Sequence, residues 1–174
     1  MNKFFKTLLL SLFFSNLAIG LFAQNNAQNG ESVLQRVSNK AVVQSVYPEA
    51  TKVEKTNEFW FKIVDDKNKL YGYAMTSTDY CKDIIGYNNT TPIMVITDKN
   101  FVIRKVALLS HYESPGYVRR LQQMGFFGTW DDLKLAEARK IKADAYTGAT
   151  LTAKAIEKNL YFLIDNGGKR LPKK

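Results

Sequence analysis

The chain has few of the residues that bind metals or form covalent cross-links. Its 174 residues include one cysteine, Cys81, and one histidine, His111. One cysteine allows no internal disulfide, and such a composition offers no set of ligands for zinc, haem or an iron–sulfur cluster. Cys81 is therefore predicted to be a small, half-buried residue without a redox or metal role.

The sequence also lacks the common signatures of an enzyme that acts on its own substrate. It contains no Gly-rich loop of the Rossmann or P-loop kind. Glu113 and Asp144 are interpreted as isolated carboxylates, and Ser114 has His111 nearby but no third group to orient a nucleophilic pair. We therefore expect no substrate pocket with its own acid and base.

The N-terminal segment has the pattern of a secretory signal peptide. Residues 1–23 carry Lys3 and Lys6, then an apolar run over 8–22, then Ala23 before Gln24. The run is shorter than the roughly 20 residues that span a bilayer comfortably, although an uncleaved membrane anchor stays an alternative. Cys81 is far from this segment, which excludes a lipoprotein cleavage site. The mature chain is predicted to be exported.

The charge balance is basic. Removing 23 of the 174 residues leaves 151 and takes away two lysines, which lowers the net charge from +9 to +7. An exported basic protein meets membranes and acidic partners, so we expect no nucleic acid partner. The terminal lysines and Arg170 are predicted to form a solvated basic tail.

Periodicity and turn residues predict an α+β fold: one domain in which antiparallel β-hairpins form a sheet packed against helices, preceded by the signal peptide. The predicted helices cover residues 31–46, 117–124, 133–140 and 149–165, and the predicted strands cover 59–64, 70–75, 92–97 and 101–109. The predicted organisation is a signal peptide (1–23), a spacer and helix (24–57), the folded domain (58–165) and a basic tail (166–174).

Residues 144–150, Asp-Ala-Tyr-Thr-Gly-Ala-Thr, are the most informative stretch. They open onto an amphipathic helix whose apolar face is predicted to contain Leu151, Ala155, Ile156, Leu160 and Leu163. A helix start has backbone N–H groups and a positive dipole end, which suit a phosphate. The alternative is that Asp144 or Thr147 only caps the helix.

Asp-x-x-Thr-Gly-Ala-Thr resembles the flavinylation motif of the FMN-binding domain family, known from the NqrC subunit of the sodium-pumping quinone reductase and the RnfG subunit of the Rnf complex. The resemblance implies that the last threonine, Thr150, carries FMN through a phosphoester that a dedicated flavin transferase installs. Thr147 and Thr152 are the nearby rivals.

Two further blocks are similar to the same family. Residues 84–93 resemble the segment that leads into its central strand, and residues 111–117 resemble its Glu-Thr-Pro-Gly turn, with Ser114 in place of the commoner threonine. Phe126 to Trp130 match its aromatic patch. The resemblance covers roughly residues 58–165.

The resemblance implies FMN contacts from three places in the chain. They are Tyr87, Thr91 and Pro92; Glu113, Ser114, Pro115 and Gly116; and Asp144, Thr147, Gly148, Ala149, Leu151 and Thr152. Each place has a structural alternative, because the first could be an ordinary strand entry and the second a plain turn.

The resemblance thus predicts an exported flavoprotein with covalent FMN that relays electrons between a membrane redox system and an extracytoplasmic partner. The alternative is a non-redox exported binding module with the same fold that is never flavinylated. A reductase with its own terminal acceptor would need a further catalytic or metal-binding domain.

Overall fold

The structure of the protein is a computed structural model that describes residues 32–143 and 148–173. The predicted signal peptide and the spacer that follows it lie outside these residues. So do Asp144 and Thr147 of the motif, and with them the prediction that either one caps the helix.

A five-stranded antiparallel sheet forms the centre of the fold, and each strand pairs with the next one along the chain. The strands are β1 (Lys52–Lys55), β2 (Trp60–Val64), β3 (Leu70–Thr76), β4 (Ile93–Asp98) and β5 (Ile103–Leu108).

Both predicted hairpins are present, and an aspartate stabilises the turn of each. The Asp65 carboxylate accepts hydrogen bonds from the backbone N–H groups of Lys67 and Lys69, at 2.8 and 2.9 Å. Asp98 does the same for Asn100 and Val102, at 2.7 and 3.0 Å. These are the side chain–backbone turns that short polar residues favour.

Among the described residues, four α-helices accompany the sheet: α1 (Asn39–Gln44), α2 (Pro115–Gln123), α3 (Leu135–Ala138) and α4 (Thr150–Gly167). Helix α4 buries Ile156, Leu160 and Leu163 in the larger core, which the sheet shares through Met75 and Val95. Helix α1 covers part of the opposite face in a second, smaller core. The predicted α+β class, with one sheet packed against helices, is confirmed.

Two local predictions are wrong, and one strand was missed. The predicted helix over residues 31–46 is limited to α1, because Gln35 is in extended backbone and exchanges hydrogen bonds with His111 at 2.7 and 3.1 Å. The edge strand β1 was not predicted. Leu151, expected in the core, is 57% exposed, whereas the other four apolar residues of that helical face are buried.

The C-terminal end of α4 is held firmly against the sheet. The indole Nε1 of Trp60 donates a hydrogen bond to the Gly167 carbonyl at 2.8 Å, and any side chain at Gly167 would overlap the Met75 sulfur. Arg170 pairs with Glu58, and both side chains remain exposed to solvent. Within the described part of the chain, no helix is long and apolar enough to cross a membrane.

Candidate functional site

The motif ends where helix α4 begins, as predicted. Thr150 is the first residue of the helix, and Ala149 is its N-cap, with no side-chain acceptor for the first N–H groups. Gly148 is exposed and has φ +85°, a conformation that favours glycine. The backbone therefore turns sharply just before a half-buried threonine at a helix N-terminus.

Glu113 is the buried centre of the site. Its carboxylate accepts hydrogen bonds from the backbone N–H groups of Tyr87, Asn88 and Asn89, at 3.1, 2.9 and 3.3 Å. It also accepts a bond from the hydroxyl of Thr152, and both side chains are fully buried. The interpretation of Glu113 as an isolated carboxylate is therefore wrong: it joins the 87–89 loop to the first turn of α4.

Close packing beside Glu113 requires a glycine. A Cβ at Gly86 would lie 2.7 Å from Glu113 Oε1 and 2.8 Å from Thr91 Cγ2, too close for any side chain. Thr91 itself is fully buried, and the Pro92 carbonyl accepts the Leu109 N–H at 2.8 Å. At these two positions the geometry is that of an ordinary strand entry.

His111 and Ser114 form their contacts with other residues rather than with each other. His111 Nδ1 accepts the Glu113 backbone N–H at 3.0 Å. Burial lowers the pKa of His111, although the negative charge of Glu113 opposes that shift. Ser114 is the N-cap of α2, followed by Pro115 at the first helical position. Its hydroxyl lies 3.4 Å from the Asn88 side-chain nitrogen.

A pocket of about 230 Å³ adjoins Thr150. The Tyr87 and Tyr117 rings meet edge to face there, with centroids 4.8 Å apart. Tyr87 is 52% exposed, so part of its ring faces solvent. Small-molecule pockets usually measure roughly 300–1,000 Å³, so this one would cover only part of a flavin. The lining residues are Tyr87, Tyr117, Gly148, Ala149, Thr150, Leu151 and Thr152.

Two residues at this site were not predicted. Tyr117 lines the pocket from α2, and the Arg120 guanidinium lies against Gly148, 3.5 Å from where a Cβ of that glycine would be. Residues three apart share one side of a helix. The three-residue spacing of Tyr117 and Arg120 on a predicted helix was therefore the sequence signal that both residues lie on one face.

The structure brings together six of the predicted residues around the pocket: Tyr87, Gly148, Ala149, Thr150, Leu151 and Thr152. Glu113 lies behind them, bonded to Thr152. Ser114, Pro115 and Gly116 are at the start of α2, where a Cβ at Gly116 would meet nothing within 4 Å. The positions of Asp144 and Thr147 are outside the described residues.

Two larger cavities elsewhere have no described residue of the motif in their lining. One of about 380 Å³ lies between α1 and the sheet, and one of about 690 Å³ is bordered by Lys55, Lys62, Lys99 and Lys173. Across residues 32–143 and 148–173, no three His, Cys, Asp or Glu side chains are grouped to hold a metal ion. Burial raises the pKa of the Cys81 thiol to about 11.

Comparison with known families found a family model that matches the part of the chain containing these residues. Residues 86–165 match the family model described as the FMN-binding domain. The matched segment begins at the tightly packed Gly86, includes Glu113, and continues through the motif along most of α4. No curated protein sequence matches the chain.

Proposed function

Because residues 86–165 belong to the FMN-binding domain family, which makes the chain a flavin-binding protein, we propose that it carries FMN covalently on Thr150. We propose further that it is exported and relays electrons between a membrane redox system and an extracytoplasmic partner. The observation that carries this proposal is the position of Thr150, at the start of α4 and beside a pocket with two tyrosine rings.

The surroundings of the two described threonines favour Thr150 as the acceptor. Thr152 is fully buried, and its hydroxyl donates to Glu113. A transferase would have to open this contact and leave a buried carboxylate short of one donor, which is costly. Thr150 is half-buried and lines the pocket, so an incoming phosphate reaches it more easily.

The attachment is a transfer of FMN from an activated donor. FAD, the pyrophosphate of FMN and AMP, has the required chemistry. The Thr150 oxygen bonds to the FMN phosphorus, the bond from that phosphorus to the AMP oxygen breaks, and the hydroxyl proton leaves with AMP. No electrons are exchanged. The N–H groups and dipole at the start of α4 stabilise the negative phosphate.

The chain offers a partial cover for the flavin ring. Tyr87, Tyr117 and Leu151 present aromatic and aliphatic surface beside Thr150. When bound, FMN supplies the redox chemistry, while the protein binds and orients it. A small, open pocket would hold FMN only weakly without a covalent bond, which is a reason for the covalent attachment. It also leaves part of the ring accessible for electron exchange with a partner.

The proposals of export and of redox partners rest on the sequence alone. The pattern of residues 1–23 is that of a signal peptide. A covalent bond is useful outside the cytoplasm, where lost FMN is not readily replaced. The non-redox binding module is the alternative. The intact Asp144, Gly148 and Thr150 favour the flavoprotein, because an unmodified copy has no reason to keep the acceptor motif.

Co-production with a flavin transferase tests this function. We expect the protein to gain the mass of one FMN less one water and to fluoresce in a denaturing gel. The same protein made without transferase should do neither. Dithionite should bleach the bound flavin, and air should restore its colour. An unmodified protein, made beside a transferase that loads another FMN-binding domain, would favour the non-redox module.

A further inference from the structure

Arg120 lies next to the backbone of the motif. A Cβ built on Gly148 would be 3.5 Å from Arg120 Cζ, 3.5 Å from Nη1 and 3.6 Å from Nε. Three guanidinium atoms at nearly equal distances show that the planar group lies flat over this glycine. Thr150 is two residues farther on, so its Cα is at most about 7.6 Å from that of Gly148.

The guanidinium of Arg120 places a positive charge beside the motif. Within the part of the chain that the structure describes, no carboxylate forms an ion pair with it. The residue is exposed, on the turn of α2 that faces the motif. A guanidinium matches the oxygens of a phosphate with parallel N–H bonds, which are stronger than neutral hydrogen bonds.

We propose that Arg120 is the positioning residue for the FMN phosphate on Thr150, a role that rests on the function proposed above. Its guanidinium holds the phosphate from one side, while the N–H groups at the start of α4 hold it from the other. It thereby aligns the phosphorus with the Thr150 hydroxyl during attachment and pairs with the single negative charge of the finished phosphodiester.

This role also gives Gly148 a second function. Its φ of +85° sets the turn, and its missing side chain keeps the space beside the Arg120 guanidinium clear for the phosphate. Arg119 provides a matched control. It is the neighbouring residue on α2 and is also exposed, but it lies about 100° around the helix from Arg120, so it does not share the same face.

The first experiment compares Arg120→Ala, Arg120→Lys and Arg119→Ala with the wild type. Each protein is made without transferase and then mixed with flavin transferase and FAD, and the initial rate of flavin attachment is measured. We expect a rate about tenfold lower for Arg120→Ala, within about threefold for Arg120→Lys and unchanged for Arg119→Ala, from the loss of one charge-assisted phosphate contact.

Thermal unfolding of the unloaded proteins shows whether a slow rate reflects a damaged fold. Both arginines are exposed, so we expect closely similar melting temperatures. If Arg120→Ala loads slowly but melts several degrees lower than Arg119→Ala, its slow rate reflects a damaged fold, and Arg120→Gln, which keeps most of the side chain, replaces it in the comparison. An attachment rate of Arg120→Gln equal to that of the wild type would then overturn the inference.

A second readout separates contact with the phosphate from recognition by the transferase. Each variant is loaded to completion, and the ³¹P resonance of the phosphodiester is recorded. We expect the resonance to shift in Arg120→Ala and to stay in place in Arg119→Ala. Equal attachment rates or equal ³¹P resonances in Arg120→Ala and the wild type would overturn the role of Arg120. Failure of the wild type itself to load would overturn the proposed function, and this inference with it.

Discussion

The hydroxyl of Thr152 donates a hydrogen bond to the carboxylate of Glu113, and both side chains are completely buried. The same carboxylate accepts three backbone N–H groups of the 87–89 loop. One side chain therefore fixes the first turn of α4 against the loop that carries Tyr87. It also binds Thr152, the nearest rival of Thr150 as the proposed FMN acceptor.

Replacing this carboxylate by an amide should weaken the fold. Glu113→Gln keeps the shape but exchanges one acceptor oxygen for an NH₂ group, which opposes N–H donors of the loop. We expect the free energy of unfolding to fall by about 1–3 kcal/mol, because a buried polar group loses its partner. Urea unfolding followed by tryptophan fluorescence measures this loss.

The control is Asp79→Asn, a carboxylate-to-amide change at an exposed position. It should alter the free energy of unfolding by no more than about 0.5 kcal/mol. Equal stability of Glu113→Gln and the control would show that the buried carboxylate does not stabilise the fold.

A second prediction compares two glycines with positive φ. Gly148 has φ +85° and Gly125 has φ +72°. Alanine is strained in this conformation, so Gly148→Ala and Gly125→Ala should each lose about 1 kcal/mol of stability. Only Gly148→Ala should also reduce flavin loading, because its Cβ enters the space beside Arg120, whereas a Cβ at Gly125 meets nothing within 4 Å.

The measurements are thermal unfolding and the flavin content of each variant made with the transferase. Similar flavin loss in both variants would mean that loading follows stability alone. Full loading of Gly148→Ala would show that the transferase tolerates a side chain at this position.

The position of the mature N-terminus is a third prediction. Export with cleavage after Ala23 should produce a chain that begins at or near Gln24. Edman sequencing or mass spectrometry of the protein from its native cell fraction measures the terminus. If the protein is membrane-bound and still begins at Met1, the N-terminal segment is an uncleaved membrane anchor and the prediction of cleavage is wrong.

The hairpins could be predicted from the sequence because their signals are local. Asp65 and Asp98 bind N–H groups two and four residues ahead, so each turn is determined by its own few residues. The start of α4 at Thr150 is likewise encoded locally, by a small polar motif before an amphipathic stretch.

The elements that were predicted wrongly or missed depend on residues far away in the sequence. The apolar spacing near Gln35 fits a helix, but pairing with His111, far along the chain, holds this segment extended. Strand β1 is mostly charged and lies at the edge of the sheet, so it shows none of the apolar alternation of a half-buried strand.

Within the site, the sequence predicted that the motif leads into the start of α4, but not the way in which this turn is supported. Glu113 reaches Thr152 across 39 positions of sequence, and no local pattern encodes that contact. Leu151 belongs to the apolar side of α4 by spacing, yet it lies in the first turn, beyond the edge of the core, and borders the pocket instead.

The most direct test of the proposed attachment is the fluorescence of Thr150→Ala in a denaturing gel, with its intact mass, after production beside an active flavin transferase. We predict no covalent flavin and a loss of stability of about 1 kcal/mol or less, because one half-buried hydroxyl is removed. Thr150→Ser should keep some loading. A fluorescent Thr150→Ala band that carries the mass of FMN would contradict the assignment, and peptide mapping would then turn first to Thr152.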